Sequence, residues 1–144
     1  MIYLDTSLVV SLFCPDANST GAAKAMQTVN VQLLISNLVE LEAINAFALK
    51  EFRKEIAGKQ AEASILNFNN AILSGVFQLC VTPEAAYQRA KQLSRMFTAH
   101  LGTRSADILQ VATALELGAS DFFSFDLKQR KMAEAAGLKL NPWP

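Results

Sequence analysis

Short apolar runs alternate with longer stretches of helical periodicity along the whole chain. Ile2 to Leu4 reads as a buried strand closed by Asp5. Thr6 and Ser7 are placed to cap a helix through about Phe13, with Pro15 beyond its end. Ala22 to Val29 reads as a second short helix and Val31 to Ile35 as the next strand. Ser36 and Asn37 cap a long helix to roughly Glu55, closed by Gly58. Gln60 to Leu73 follows as another helix stopped at Gly75, and Val76 to Val81 is a strand. Thr82-Pro83-Glu84 opens a helix to about Phe97, with proline at its first position. The most regular stretch comes next. Ile108, Leu109, Val111, Ala112 and Leu115 form an apolar stripe, with Thr103 or Ser105 as cap and Gly118 as stop. Phe122, Phe123 and Phe125 then make a continuous apolar run ending at Asp126, of the kind buried on both faces in a parallel sheet. A helix from Leu127 to Ala136 and a strand from Leu138 to Leu140 complete the pattern, before the tail NPWP.

Strands alternating with helices predict an α/β fold, a three-layer α/β/α sandwich around a mainly parallel sheet. One connection is under geometric tension. The helix after Val81 leaves the carboxyl edge of the sheet, yet the helix bearing Asp107 must start from that same edge. A loop from Thr98 to Arg104 spans at most about 23 Å, so either it returns fully extended or the preceding helix lies crosswise.

At 144 residues the chain is expected to be one domain, residues 1–144, and 51% hydrophobic content excludes a disordered polymer. A formal net charge of zero removes any global electrostatic case for binding nucleic acid or membrane. Cys14 and Cys80 form no CxxC and read as reduced thiols of a cytoplasmic protein. Met1 leads straight into a strand, so no signal peptide is expected, and no apolar run nears the roughly 20 residues of a membrane helix.

The chemistry lies in the acids. Asp5 and Asp126 end strands, and Asp107 sits in the first turn of the helix feeding the second of these. The helix after Val31 to Ile35 carries Glu40 and Glu42, about 200° apart, so only one can face a common cleft. All would meet at the carboxyl edge, where open α/β sheets place ligands. Taken singly, Asp107 is a good helix-start acid, and Asp5 and Asp126 are good caps. Together, converging carboxylates raise one another's pKa unless protonated or bridged by a cation. An all-oxygen site suits Mg²⁺ or Mn²⁺, one ion or two, and the chemistry implied is hydrolysis of a phosphodiester.

The chain resembles the PIN-domain ribonucleases, especially the VapC-type toxins of toxin–antitoxin pairs. The resemblance rests on YLDTS at Tyr3 to Ser7, ISNLVELEAINA at Ile35 to Ala46, RSADILQVATAL at Arg104 to Leu115 and FFSFD at Phe122 to Asp126. It implies a Mg²⁺- or Mn²⁺-dependent endoribonuclease with Asp5, Glu42, Asp107 and Asp126 as metal-holding acids, choosing Glu42 over Glu40. It implies that Ser124 helps orient metal-bound water, that the protein forms homodimers, and that a cognate antitoxin covers the active site with its C-terminal segment, the helix from Asn37 to Glu55 and the following one serving as clamp surfaces. Many relatives carry His where this chain has Gln110, a departure assigned to packing or partner contacts.

Arg104, three residues before Asp107, is the best candidate phosphate contact, joined by Thr6 and Ser7 beside Asp5. Lys128, Arg130 and Lys131 follow Asp126 and either line the same mouth or form a solvated face. Lys50, Arg53, Lys54 and Lys59 alternate with acids and read as surface ion pairs. His100 lies in a predicted loop, and Trp143 packs on the core or on a neighbouring subunit. Two other readings compete: a phosphatase or phosphotransfer domain with Asp5 as nucleophile, and a non-catalytic binding module whose acids are structural.

Overall fold

The computed structural model describes residues 1–27 and 29–142, so Thr28 and the expected packing of Trp143 lie outside the described residues. Five parallel strands form one sheet: β1 (Ile2–Leu4), β2 (Leu33–Ser36), β3 (Phe77–Cys80), β4 (Asp121–Phe123) and β5 (Lys139–Leu140). Their order is β3-β2-β1-β4-β5, so β1 is central and Ile2, Tyr3 and Leu4 are all buried. The Tyr3 ring stacks on Phe122 of β4 at 5.5 Å, and its hydroxyl bonds Ser36 Oγ at the end of β2 at 2.7 Å. A buried tyrosine needs such a partner. At the sheet margin β3 exposes Gln78 and Leu79.

The helices are α1 (Thr6–Phe13), α2 (Ser19–Gln27), α3 (Asn37–Phe52), α4 (Gly58–Leu73), α5 (Glu84–Leu93), α6 (Ala99–Leu101), α7 (Ser105–Glu116) and α8 (Leu127–Ala135), with a π-helical turn at Ser94–Thr98. Phe13, Phe47, Phe68 and Phe77 close one side of the core with edge-on and tilted ring contacts. The expected α/β/α layering stands, with boundary shifts that have physical causes. Gly58 starts α4 rather than ending α3; Lys54, at φ +60°, supplies the left-handed residue after α3. Pro83 is the cap of α5, one place ahead of its expected position.

The strained connection is relieved by helix. From Glu84 the chain stays helical through the π turn to Leu101, and Gly102, at φ +63°, turns it directly into α7. His100 is therefore helical and exposed, not in a loop. The stretch starts beside α3, where Thr82 donates to Asn37 Oδ1, and ends where Thr98 Oγ1 meets Thr103 Oγ1 at 3.3 Å. Between these points it runs antiparallel to α7, with Arg89 paired to Glu116. Among the described residues no helix is long and apolar enough to cross a membrane. Cys14 and Cys80 are free, the first buried and the second partly so.

Candidate active site

The parallel register aligns the first strand ends. Tyr3 pairs with Phe122 and Leu4 with Phe123, so the next residues, Asp5 and Ser124, lie side by side. The Asp5 N–H extends the ladder by donating to Phe123 O at 3.0 Å. Asp5 is also the N-cap of α1, accepting Leu8 N–H at 2.8 Å, a role expected of Thr6 or Ser7. Those two residues instead occupy the first turn. Ser7 Oγ donates to Asp5 at 2.8 Å and accepts Phe125 N–H at 2.9 Å. Ser124 Oγ donates to Asp5 Oδ2 at 2.6 Å and accepts Asp126 N–H at 2.9 Å.

Asp5 is 1% exposed. Burial pushes its carboxyl up to about 6, against the opposing pull of the hydrogen bonds from Ser124, Leu8 and Ser7. A group this enclosed and this fully bonded is not presented to substrate as a nucleophile, which argues against the phosphatase and phosphotransfer reading. The proposed acid has a different use: it is one wall of a cleft of about 600 Å³ that Glu42, Asp107 and Asp126 also line. Glu40 lies outside that lining.

Each of the other acids is held by its own element. Asp126 caps α8, its Oδ1 accepting Lys128 N–H and Gln129 N–H at 2.9 and 2.8 Å. Asp107, in the first turn of α7, accepts Arg104 Nε at 3.2 Å on Oδ2. The Arg104 side chain is 82% exposed at the rim of the cleft and takes the extended cap position of α7, which Thr103 and Ser105 do not. Glu42 Oε2 accepts Thr6 Oγ1 at 2.6 Å and Gln110 Nε2 as well. Glu42 Oε1, Asp107 Oδ1 and Asp126 Oδ2 take no hydrogen bond among the described residues.

Three expectations change on this geometry. Ser124 is wholly buried, with its hydroxyl spent on Asp5 and on the Asp126 backbone, so it ties the first acid to the fourth instead of orienting water. Thr6 and Ser7 line the cleft, but their hydroxyls donate to Glu42 and Asp5, so neither has a hydroxyl donor left for a phosphate. Gln110 is neither packing nor partner surface: it is 2% exposed and bonds Thr6 and Glu42 inside the site. Sequence reasoning also missed Gln129, whose amide reaches Asp107 O at 3.2 Å, and Asn141, which accepts Ser124 N–H at 3.0 Å. No local pattern marks either one, because their partners lie 22 and 17 residues away.

Of the nearby cations, Arg130 is turned inward onto Ser124 O and Asn141 O at 3.0 and 3.3 Å. Lys128 Nζ reaches Gly102 O at 3.3 Å. Lys50 pairs with Glu55 as expected, at 3.5 Å, and also lines the cleft.

Among the described residues no three acidic, histidine or cysteine side chains are gathered tightly enough to chelate one ion unaided. Magnesium keeps several waters and is commonly held by one or two carboxylates. The oxygen-only donor set with three unengaged oxygens fits such an ion.

No curated protein matches the sequence. Solved structures of the same fold include VapC20 of Mycobacterium tuberculosis, described as a sarcin-ricin loop cleaving toxin, at TM-score 0.72 and 20% identity, covering 99% of this chain and 100% of that one. FitAcB from Neisseria gonorrhoeae aligns at TM-score 0.73 and 21% identity over 99% of both chains. VapBC2 from Rickettsia felis, bound to a DNA fragment from its promoter, aligns at 0.67 and 19% over the whole of both. The PIN domain family model matches residues 2–135, and over that span, with the strand order and the acid-lined cleft described, the chain belongs to the PIN domain family.

Proposed function

We propose that this protein is a Mg²⁺- or Mn²⁺-dependent endoribonuclease that hydrolyses RNA phosphodiester bonds, acting as the toxin of a toxin–antitoxin pair. The observation that carries this reading is the meeting of Asp5, Glu42, Asp107 and Asp126, from four separate parts of the chain, on one cleft. Carboxylates so placed repel one another, and a divalent cation relieves the repulsion. Bound there, the ion would acidify an attacking water and offset charge developing on phosphorus.

The chain's own residues divide the remaining work. Glu42, Asp107 and Asp126 offer open oxygens to the ion, while Asp5 supplies a buried charge held in place by Ser7, Ser124 and the start of α1. Arg104, exposed at the rim and paired with Asp107, is the residue to engage an RNA phosphate. Thr6 and Ser7 line the same cleft and hold Glu42 and Asp5 by their hydroxyls.

The structural neighbours include a sarcin-ricin loop cleaving toxin and a VapBC2 assembly on promoter DNA, which supports an RNA substrate and a cognate antitoxin here. Exposed Leu41, Leu49 and Phe52 on α3 and Leu66 and Leu73 on α4 give such a partner apolar surface to cover. A homodimer in the cytoplasm is part of the same proposal.

The test is RNA cleavage in Mn²⁺ by purified wild-type, Asp5→Asn and Asp126→Asn proteins, with EDTA as control. Cleavage lost in both variants and in EDTA, with folding retained, supports the reading; cleavage retained by either variant sinks it. The non-catalytic alternative draws on Asp5 and Asp126 being helix caps. It predicts no cleavage by wild type and no thermal stabilisation by millimolar Mn²⁺.

A further inference from the structure

We propose that Gln110 is a positioning residue which, together with Thr6, commits one oxygen of Glu42 to the protein and leaves the other for a divalent cation. The proposal rests on the nuclease reading above.

Gln110 stands on α7, yet its amide reaches the beginning of α1 and the second turn of α3. Its Oε1 accepts Thr6 N–H at 3.3 Å, and its Nε2 donates to Thr6 Oγ1 at 2.9 Å and to Glu42 Oε2. Thr6 Oγ1 donates its own hydrogen bond to the same Glu42 Oε2 at 2.6 Å. Gln110 Nε2, Thr6 Oγ1 and Glu42 Oε2 form a close triangle, in which the amide nitrogen and the hydroxyl both act as donors toward Oε2. These two donors converge on Oε2, whereas Oε1 takes none among the described residues.

This asymmetry has a consequence for binding. The terminal torsion of a glutamate is broad and roughly two-fold, so a free carboxylate offers its oxygens interchangeably. Two neutral donors on one oxygen remove that freedom before any ion arrives, and pre-ordering a ligand group reduces the cost of binding. Partners of this kind, one bond removed from the ion, are typically worth about 10- to 100-fold in metal affinity.

A mere cross-link between α1, α3 and α7 would affect stability and leave the affinity of the folded protein alone. The discriminating measurement is Mn²⁺ titration calorimetry on wild type, Gln110→Leu, Thr6→Val and Thr6→Ser, with melting in EDTA to establish folding. Gln110→Leu keeps the volume and deletes both donors; Thr6→Val deletes the hydroxyl and Thr6→Ser restores it.

The expected result is about a tenfold loss of Mn²⁺ affinity in Gln110→Leu and Thr6→Val, with Thr6→Ser within twofold of wild type. Folded Gln110→Leu that binds Mn²⁺ within twofold of wild type overturns the proposal. If Gln110→Leu does not fold, the Thr6→Val and Thr6→Ser pair decides on the same criterion, since both donors act on one oxygen. A wild type that binds no Mn²⁺ overturns the nuclease reading itself, an outcome distinct from equal binding by all four proteins.

Discussion

Ser124 Oγ sits 2.6 Å from Asp5 Oδ2, joining the ends of two adjacent parallel strands through side chains 119 residues apart. The same oxygen accepts Asp126 N–H, so one hydroxyl sets the positions of two acids. Ser124→Ala leaves a buried carboxylate short of a donor and a backbone N–H short of an acceptor, which costs about 1–3 kcal/mol. The expected result is a lower Tm and reduced RNA cleavage at constant Mn²⁺. Unchanged melting would show that neither group depends on this hydroxyl.

Asp5 gives a pH dependence of definite sign. Its carboxyl lies at about 6 in the folded protein against 3.8 for the free group, because burial disfavours the charge. The folded chain therefore holds this proton more tightly than the unfolded chain. Stability from Asp5 is full below pH 4, falls as pH rises from about 4 to 6, and is level above, a loss of roughly 3 kcal/mol. In Asp5→Asn that slope disappears. Urea unfolding in EDTA should show the variant gaining on wild type between pH 4 and pH 7, while its cleavage is lost. A wild-type to variant difference that does not move with pH would contradict the burial account.

Much of this was readable from local pattern and some was not. The α/β/α layering and the parallel sheet followed from alternation, the strand order did not, and Asp5, Asp107 and Asp126 came from being the acids at element ends. Glu42 could not be told from Glu40 by physics alone, since both have apolar helical neighbours; the cleft separates them. Gln110 was illegible for a different reason. It lies among Ile108, Val111 and Ala112 on the buried side of α7, and its partners Thr6 and Glu42 are 104 and 68 residues away. Ser124 was found by motif but its direction was not, because a strand-end hydroxyl can point to solvent or to a neighbouring strand end. Gly58 misled because glycine favours helix ends and here begins one.

Metal should couple to the same acid. If a cation binds among these carboxylates, it competes with the Asp5 proton, so the rise in Tm caused by Mn²⁺ should be large at pH 7.5 and shrink as pH falls below about 6. Differential scanning fluorimetry across that range measures it. A shift equal at pH 7.5 and pH 5 would place the ion away from Asp5.

Arg104 and Arg130 make opposite predictions although both stand near the cleft in sequence. Arg104 is open to solvent with one carboxylate partner, and a cation so placed can neutralise an RNA phosphate. Arg130 has both amino groups on backbone carbonyls of Ser124 and Asn141, fastening the chain after β5 to the end of β4. Each phosphate contact on a single strand contributes about 0.7 to the slope of log K against log salt. Arg104→Ala should therefore lower that slope by about 0.7 and raise KM for RNA without moving Tm. Arg130→Ala should leave the slope alone and lower stability by about 1–3 kcal/mol, since it removes charge-assisted bonds to partly buried carbonyls. Filter binding at four salt concentrations, beside thermal melts, separates the two. A slope that falls in Arg130→Ala would mean its guanidinium leaves Ser124 to meet RNA, and the buttress at the end of β4 would then be a resting-state contact only.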